Sequence, residues 1–452
     1  MLAALSLPLT LGACQGGTVQ GGLPGLLERI GPGAPQRVAP QPASPPGRQA
    51  NIPPTGQPAP QMPRPAAPSL AIETQPLPGP MLVRPGDGNV IRIAFLAPLS
   101  GPHAGLGRAL LDAAQMALFD LADDRLALLP RDTEGQPEKA AAVAQQAMAE
   151  GAQIIIGPLF ANEAAAVGPL ARERGVKVLS FSTDRSVAGN GVFLLGFTPD
   201  QQVERVIGFA RTRGMTRFAL LAPDSAYGNA VAQATDLATR QTGGQLLRQD
   251  RYPGDTADLT PVVRRFATGL RALPPRSTEE PAPAETAESH LARPVDAVLL
   301  PEGGARLRAL APLLPYFDID PRTVRFLGTG LWEDAGLGSE PALVGGWYAA
   351  PAPEGFAEFS RRFEQAFGRR PVRLASLAYD TTALVGILAR REDPAPFSDA
   401  ALTNPDGFAG YDGIFRFLPD GLVQRGLAVL EVQRRGSRVI DPAPASFQQP
   451  AN

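Results

Sequence analysis

From residue 90 onward the hydrophobic positions fall into two rhythms. Short runs rich in Ile, Val, Leu and Phe at 91–96, 154–156, 176–181, 218–222, 297–300 and 324–327 read as strands buried on both faces. Between them lie alanine-rich stretches with helical spacing and recognisable ends. Pro137 sits in a first turn and Gly151 follows a last one, while Thr198, Pro199, Asp200 and Gln201 make a capping box before a helix that stops at Gly214. Strand and helix in alternation predict an α/β fold of parallel, doubly wound sheets. About 350 residues exceed the roughly 250–300 at which a single core stops growing, so two lobes are expected. Near the end, 411–417 and 422–432 read as two strands joined by a turn at Pro419, Asp420 and Gly421, returning to complete a lobe begun earlier.

Two stretches break the rhythm. Residues 31–88 are crowded with proline, from Pro32 and Pro35 through Pro53 and Pro54 to Pro85, and nearly free of aromatics. Such a segment buries too little surface to fold and is expected to act as an extended tether, reaching on the order of 100 Å at roughly 3 Å per residue. Residues 274–294, made of Pro, Glu, Ala and Thr, read as a mobile surface loop. Ahead of the tether, Cys14 is the single cysteine of 452 residues and follows Leu11, Gly12 and Ala13 at the end of an apolar run too short to span a bilayer. This resembles a bacterial lipobox, which implies a signal peptide at 1–13, lipidation of Cys14, a tether over 14–88 and attachment through the lipid alone. Gln15 after the cysteine points to the outer membrane, facing the periplasm. One cysteine allows no internal disulfide, so stability rests on the core. A net charge of −2 and 44% apolar residues describe an ordinary globular chain with no electrostatic grip on nucleic acid.

The order VIRIAFLAPLSGPHAGLG at 90–107, an acidic turn of Arg131, Asp132, Thr133, Glu134 and Gly135 before Pro137, and IIIGP at 154–158 resembles the branched-chain amino-acid receptors among the type I periplasmic binding proteins. The resemblance covers 90–432 and implies a two-lobed fold over 89–440. Lobe one would comprise about 89–200 and 351–409, lobe two about 201–350 and 410–440, with three crossings as a hinge and a disordered tail at 441–452. In open parallel sheets, ligands bind beyond the carboxyl ends of strands, where helix amino termini present free N–H groups. Candidate cleft residues are therefore Ser100, Phe160, Ala161, Asn162, Ser180, Ser182, Thr183, Asp184, Tyr227, Glu302 and Trp332. Asn162 either caps a helix or meets ligand, and Ser180, Ser182 and Thr183 either close a strand end or meet ligand. Glu302 is either a partner for a cationic group or a solvated loop acid. In receptors of this kind a Ser and a Thr hold the ligand carboxylate. Ungapped alignment puts Ala161 and Asp184 there, and an acid repels a carboxylate.

A second resemblance lies further on. FLGTGLWED at 326–334, followed by Gly345, Gly346, Trp347 and Tyr348, is similar to the outer-membrane lipoproteins that activate class A penicillin-binding proteins (the LppC/LpoA type). It implies a non-catalytic regulator of peptidoglycan synthesis acting by protein contact, with Trp332 as either an exposed interface anchor or a side chain packed into the interlobe cleft. The alternative role is a solute-binding lipoprotein of an ABC importer with a small molecule in the cleft. Catalysis has little to work with. His103 and His290 are the two histidines, Ser100 lies in no nucleophile elbow, and Gly105 and Gly107 lack the last glycine of a dinucleotide fingerprint. No enzyme activity, cofactor or metal is expected.

Overall fold

The computed structural model describes residues 90–275, 294–391 and 393–448. The signal peptide, Cys14, the proline-rich tether and most of the 274–294 segment lie outside them. Two parallel sheets form, each with its own pair of cores. The first is built from β1 (Ile91–Ala97), β2 (Leu126–Asp132), β3 (Ala152–Ile156), β4 (Lys177–Ser180) and β5 (Val192–Leu194), in the order β2-β1-β3-β4-β5. Its helices are α1 (Ala104–Leu121), α2 (Pro137–Ala149) and α3 (Ala161–Glu173). Along β1, Ile93, Phe95 and Ala97 enter one core while Ala94 and Leu96 enter the other. The alternation of a pleated strand between two covered faces is why this run is apolar throughout.

After β5 the chain passes into α4 (Pro199–Thr212) and a second sheet. This holds β6 (Arg217–Asp224), β7 (Gln245–Pro253), β8 (Ala297–Leu299), β9 (Arg325–Gly328) and β10 (Trp347–Ala350), connected by α5 (Ala226–Gln241), α6 (Thr260–Arg271), α7 (Gly304–Leu310) and α8 (Leu313–Tyr316). The order β7-β6-β8-β9-β10 repeats that of the first sheet. In β6 too, Phe218, Leu220 and Ala222 face one core and Ala219 and Leu221 the other. The chain then returns to the first lobe as α9 (Pro353–Phe367) and α10 (Ala375–Ala389), which contribute Phe359, Phe363, Leu377 and Leu384 to its core. A short α11 (Asp399–Leu402) leads into the last strands.

The carboxyl-terminal strands depart from expectation. The run 422–432 is two strands rather than one, because the chain changes lobe at Gly426 and Leu427. β11 (Phe408–Gly410), β12 (Gly413–Phe417) and β13 (Val423–Arg425) make a small antiparallel sheet whose Phe415, Phe417 and Val423 lie in the first lobe's core. β14 (Ala428–Val432) then pairs antiparallel with β10, and β15 (Ser437–Asp441) pairs with β14. Residues 410–425 therefore belong with lobe one, not lobe two. The segment after β15 is also not a free tail as far as residue 448. Arg416 lies over the ring of Phe447 at 4.7 Å, and Gln448 donates to Asp406 at 2.8 Å. The three crossings are thus residues 195–198, Pro351 with Ala352, and Gly426 with Leu427.

Candidate functional site

β5 and β10 both hand the chain across at their carboxyl ends, so the carboxyl ends of the two sheets look onto the gap between the lobes. On the first-lobe side, Asp132 closes the loop after β1: its Oδ1 accepts the N–H groups of Leu99 (2.8 Å), Ser100 (3.2 Å) and Glu134 (2.9 Å). Burial alone would raise its carboxyl, but the Ser100 hydroxyl and these three N–H groups outweigh that and hold it below the usual range. Ser100 is left exposed at the rim. Behind it stands an aromatic corner, with His103 and Phe160 in edge contact at 4.9 Å between ring centroids. Gly135 sits beside this pair, and its φ of +73° rather than lack of space is what favours glycine there.

Phe160, not Asn162, occupies the N-cap of α3. The buried carboxylate of Glu163 reaches back to accept its N–H at 3.1 Å, while Asn162 is exposed on the first turn and accepts only the N–H of Glu163. The helix begins one residue before Asn162, so the Asn162 side chain lies inside the first turn, and the N3 carboxylate of Glu163 satisfies the N–H of the N-cap residue instead. Burial raises the Glu163 carboxyl even so. Gly157, at φ +89°, lets this turn approach β1, because a Cβ would meet the Leu96 carbonyl oxygen at 2.1 Å. Ala161, half-buried, opens α3.

The turn after β4 bonds largely to itself. Ser180 donates to the Pro158 carbonyl at 2.9 Å and accepts from Ser182 N–H. Ser182 accepts from Asp184 N–H, and Asp184 accepts both the N–H and the hydroxyl of Ser186. Ser180 and Ser182 are buried, whereas Thr183 and Asp184 are exposed. Across the gap, Ser225 caps α5 by accepting Gly228 N–H at 3.1 Å. In that helix's first turn Tyr227 donates to Thr329 Oγ1 at 2.8 Å, and burial pushes its hydroxyl up to about 12. Glu302, after β8, accepts from the Tyr252 hydroxyl and from Arg306 Nε at 3.3 Å. Its cationic partner is therefore a neighbour on α7, and Glu302 is buried rather than solvated.

Trp332 is misplaced by both sequence readings. It is 0% exposed and sits inside the second lobe, donating its indole N–H to the Leu300 carbonyl at 3.2 Å. Gly328 and Gly346 form the slot it fills, since a Cβ at either would come within 2.2 and 2.7 Å of the ring. It is neither an exposed anchor nor a cleft wall. The capping box at 198–201 also changes role. Thr198 makes no bond to the helix backbone; Gln201 donates to its hydroxyl and to the Val423 carbonyl, and accepts the N–H of Arg425 at 2.8 Å. The pattern read as a cap instead ties the first crossing to the third.

A group of buried and half-buried titratable side chains at the hinge went unread. Arg373, just before α10, pairs with Glu333 of the second lobe (Nε to Oε2, 2.8 Å) and with Asp412 of the first (Nη1 to Oδ1, 2.8 Å), between the rings of Phe197 and Phe356 at 4.7 and 4.4 Å. Burial opposes its charge, but Asp412 and Glu333 outweigh that and hold the guanidinium above its ordinary value. Asp380 accepts the N–H groups of Tyr411 (2.9 Å) and Asp412 (3.3 Å), and a Cβ on Gly410 would collide with its carboxylate. Burial and the neighbouring Asp412 raise Asp380 to about 7. Arg425, 7% exposed, donates to the Leu195 carbonyl at 2.6 Å and stacks on Phe197 and Phe415. The one sequence signal was Asp380 itself, a lone acid in the otherwise apolar ASLAYDTTALVGILA of α10.

One strand order repeated on either side of a hinged gap is the architecture of a periplasmic binding protein. The chain belongs to that family, whose model matches residues 90–437. Among curated relatives it is 26% identical over 187 residues to Leu/Ile/Val-binding protein homolog 6 of Brucella abortus, covering 39% of this chain and 48% of that one. It is 23% identical over 199 residues to an uncharacterized protein of Rickettsia prowazekii, covering 44% and 53%. The chain thus spans about half the length of the curated relatives it matches. Among solved structures, a putative branched-chain amino acid ABC transporter from Rhodospirillum rubrum superposes with a TM-score of 0.64 at 19% identity, covering 78% of this chain and 100% of that one. A solute-binding protein of Rhodopseudomonas palustris in complex with benzoate gives 0.55 at 16% identity, covering 79% and 98%. At these identities the structures share the fold.

Proposed function

We infer that this chain is a solute-binding protein of the cell envelope that captures a small molecule between its lobes for an ABC importer. The carrying observation is the pair of like-ordered sheets whose carboxyl ends face one gap spanned by three crossings. Family membership and the kinship with Leu/Ile/Val-binding proteins support the same role. The penicillin-binding-protein activator reading named Trp332 as its contact, and that side chain is inside a core.

The first lobe departs from a receptor for a free α-amino acid chiefly in what would meet the ammonium group. No hydroxyl stands at position 161, Asp184 is turned into its own loop, and Glu302 is already neutralised by Arg306. What the first lobe offers at its rim is an aromatic corner, Phe160 with His103, which favours a flat apolar body. Thr183, exposed in the turn after β4, is the free hydroxyl of the first lobe, whereas that of Tyr227 is held by Thr329. Isothermal titration with benzoate, 4-hydroxybenzoate, leucine and valine tests this. Binding of an aromatic acid without binding of leucine is the expected result. Leucine binding overturns the ligand class. A protein that binds no solute in a broader screen, yet pulls a peptidoglycan synthase from envelope extracts, overturns the role.

A further inference from the structure

We propose that the Arg373–Glu333 pair is an interlobe latch that sets the angle of the cleft. The inference needs the two-lobed fold but not the identity of the ligand.

Glu333 follows β9, and its neighbour Asp334 is fixed to Arg308 of α7 at 2.6 Å, so it moves with the second lobe. Arg373 precedes α10 and is anchored on the first lobe by Asp412, which in turn accepts the hydroxyl of Ser376 at 2.8 Å. Close by, Gln201 and Arg425 tie the first and third crossings together and leave little freedom there. This gives a pivot at Gln201 and Arg425 and a separable contact at Arg373 and Glu333.

The cluster also holds unspent bonding capacity. Arg373 Nη2, Arg425 Nε and Nη1, and Asp412 Oδ1 are buried without a well-aligned hydrogen bond, although Asp412 Oδ1 is 2.8 Å from Arg373 Nη1. These are three donors against one acceptor, so withdrawal of Glu333 takes an acceptor away from a cluster already rich in donors, and the latch holds against that cost. Arg373 held between Phe197 and Phe356 is positioned to exchange partners without leaving its aromatic sandwich. Closure on a solute then has to make or break one defined ion pair, which couples capture to the hinge.

The test measures the interlobe distance in the ligand-free full chain. Spin labels go on Glu173→Cys in α3 and Gln241→Cys in α5, both exposed sites, with Cys14 replaced by Ser. Glu333→Gln and Arg373→Met should each raise the population away from the wild-type distance by about fivefold, equivalent to about 1 kcal/mol. The double variant should go no further than the singles, because both remove one contact. Solute affinity should change in step. If Glu333→Gln is folded and its distance distribution superimposes on wild type, the latch is refuted even if its melting temperature falls. Should Arg373→Met fail to fold, the isosteric and partly exposed Glu333→Gln decides alone.

Discussion

Replacing Trp332 by alanine separates a core role from a contact role most sharply. The indole is 0% exposed and lies between Gly328 and Gly346, two residues with no side chain to swing into the space it leaves. A buried Trp→Ala change costs about 3–5 kcal/mol, and poor collapse of the site places this one toward the upper end. The Leu300 carbonyl also loses its N–H donor, adding about 1 kcal/mol. Urea unfolding followed by fluorescence of the remaining Trp347, which packs on Phe209 in the same lobe at 5.0 Å, should register a loss of about 5–6 kcal/mol. Trp332→Phe keeps one ring but loses the donor and the volume of the second, so about 2–3 kcal/mol is expected. A loss below about 1 kcal/mol for the alanine variant would refute the packing argument and return Trp332 to the list of contact residues.

Asp380 holds a proton in the folded protein up to about pH 7 that it releases near 3.8 when unfolded. Between those values the folded state binds more protons, so this group's contribution falls as pH rises and is flat above 7, by up to about 4 kcal/mol. Asp380→Asn should therefore lift the slope of melting temperature against pH between 4.5 and 7.5 relative to wild type; parallel slopes would count against the raised value. Gly107→Ala and Gly228→Ala each drive a Cβ to 2.0 Å from a strand-end carbonyl, of Pro98 and Pro223 respectively. Each should cost roughly 2 kcal/mol or more, and calorimetry that resolves the lobes should show the first affecting one transition and the second the other. Phe160→Ala should weaken binding of an aromatic acid roughly tenfold while leaving the fold intact, as read by titration and circular dichroism; unchanged affinity would remove the aromatic corner from the site.

Strands buried on both faces were legible because their period left a continuous apolar run, as in β1, β3, β6 and β9. The edge strands β2 and β7 were not, since 126–132 (LALLPRD) and 245–253 (QLLRQDRYP) have one side open and carry polar residues accordingly. The break at Gly426 was hidden for another reason: two strands in different sheets met without a turn signal between them. At the site, strand-end residues were found by position, but their bonding was not. The helix starts at Ala161 rather than after Asn162, so Glu163 takes the capping role, and Arg306 lies one helical turn from Glu302; spacing alone does not say where a helix starts or which partner wins. Arg373, Asp412 and Arg425 are distant in sequence and meet only through the crossings.

The charges nearest the cleft are mostly spent on the protein itself. Glu302 is paired with Arg306, Glu333 with Arg373, and Asp184 caps its own turn. A receptor for a zwitterion needs an acid and a set of donors left unpaired until the ligand arrives, because recruiting a paired charge means first breaking its bond. Here the paired charge lies at the hinge and the aromatic surface at the rim. Selectivity should then come from the shape and polarity of Phe160 and His103, while the ionic cluster governs how far the lobes move. Substitutions at the rim are expected to change which solute binds, and substitutions at Arg373 or Glu333 to change affinity for all solutes alike. A hinge variant that altered preference among ligands without altering the interlobe distance would break that division.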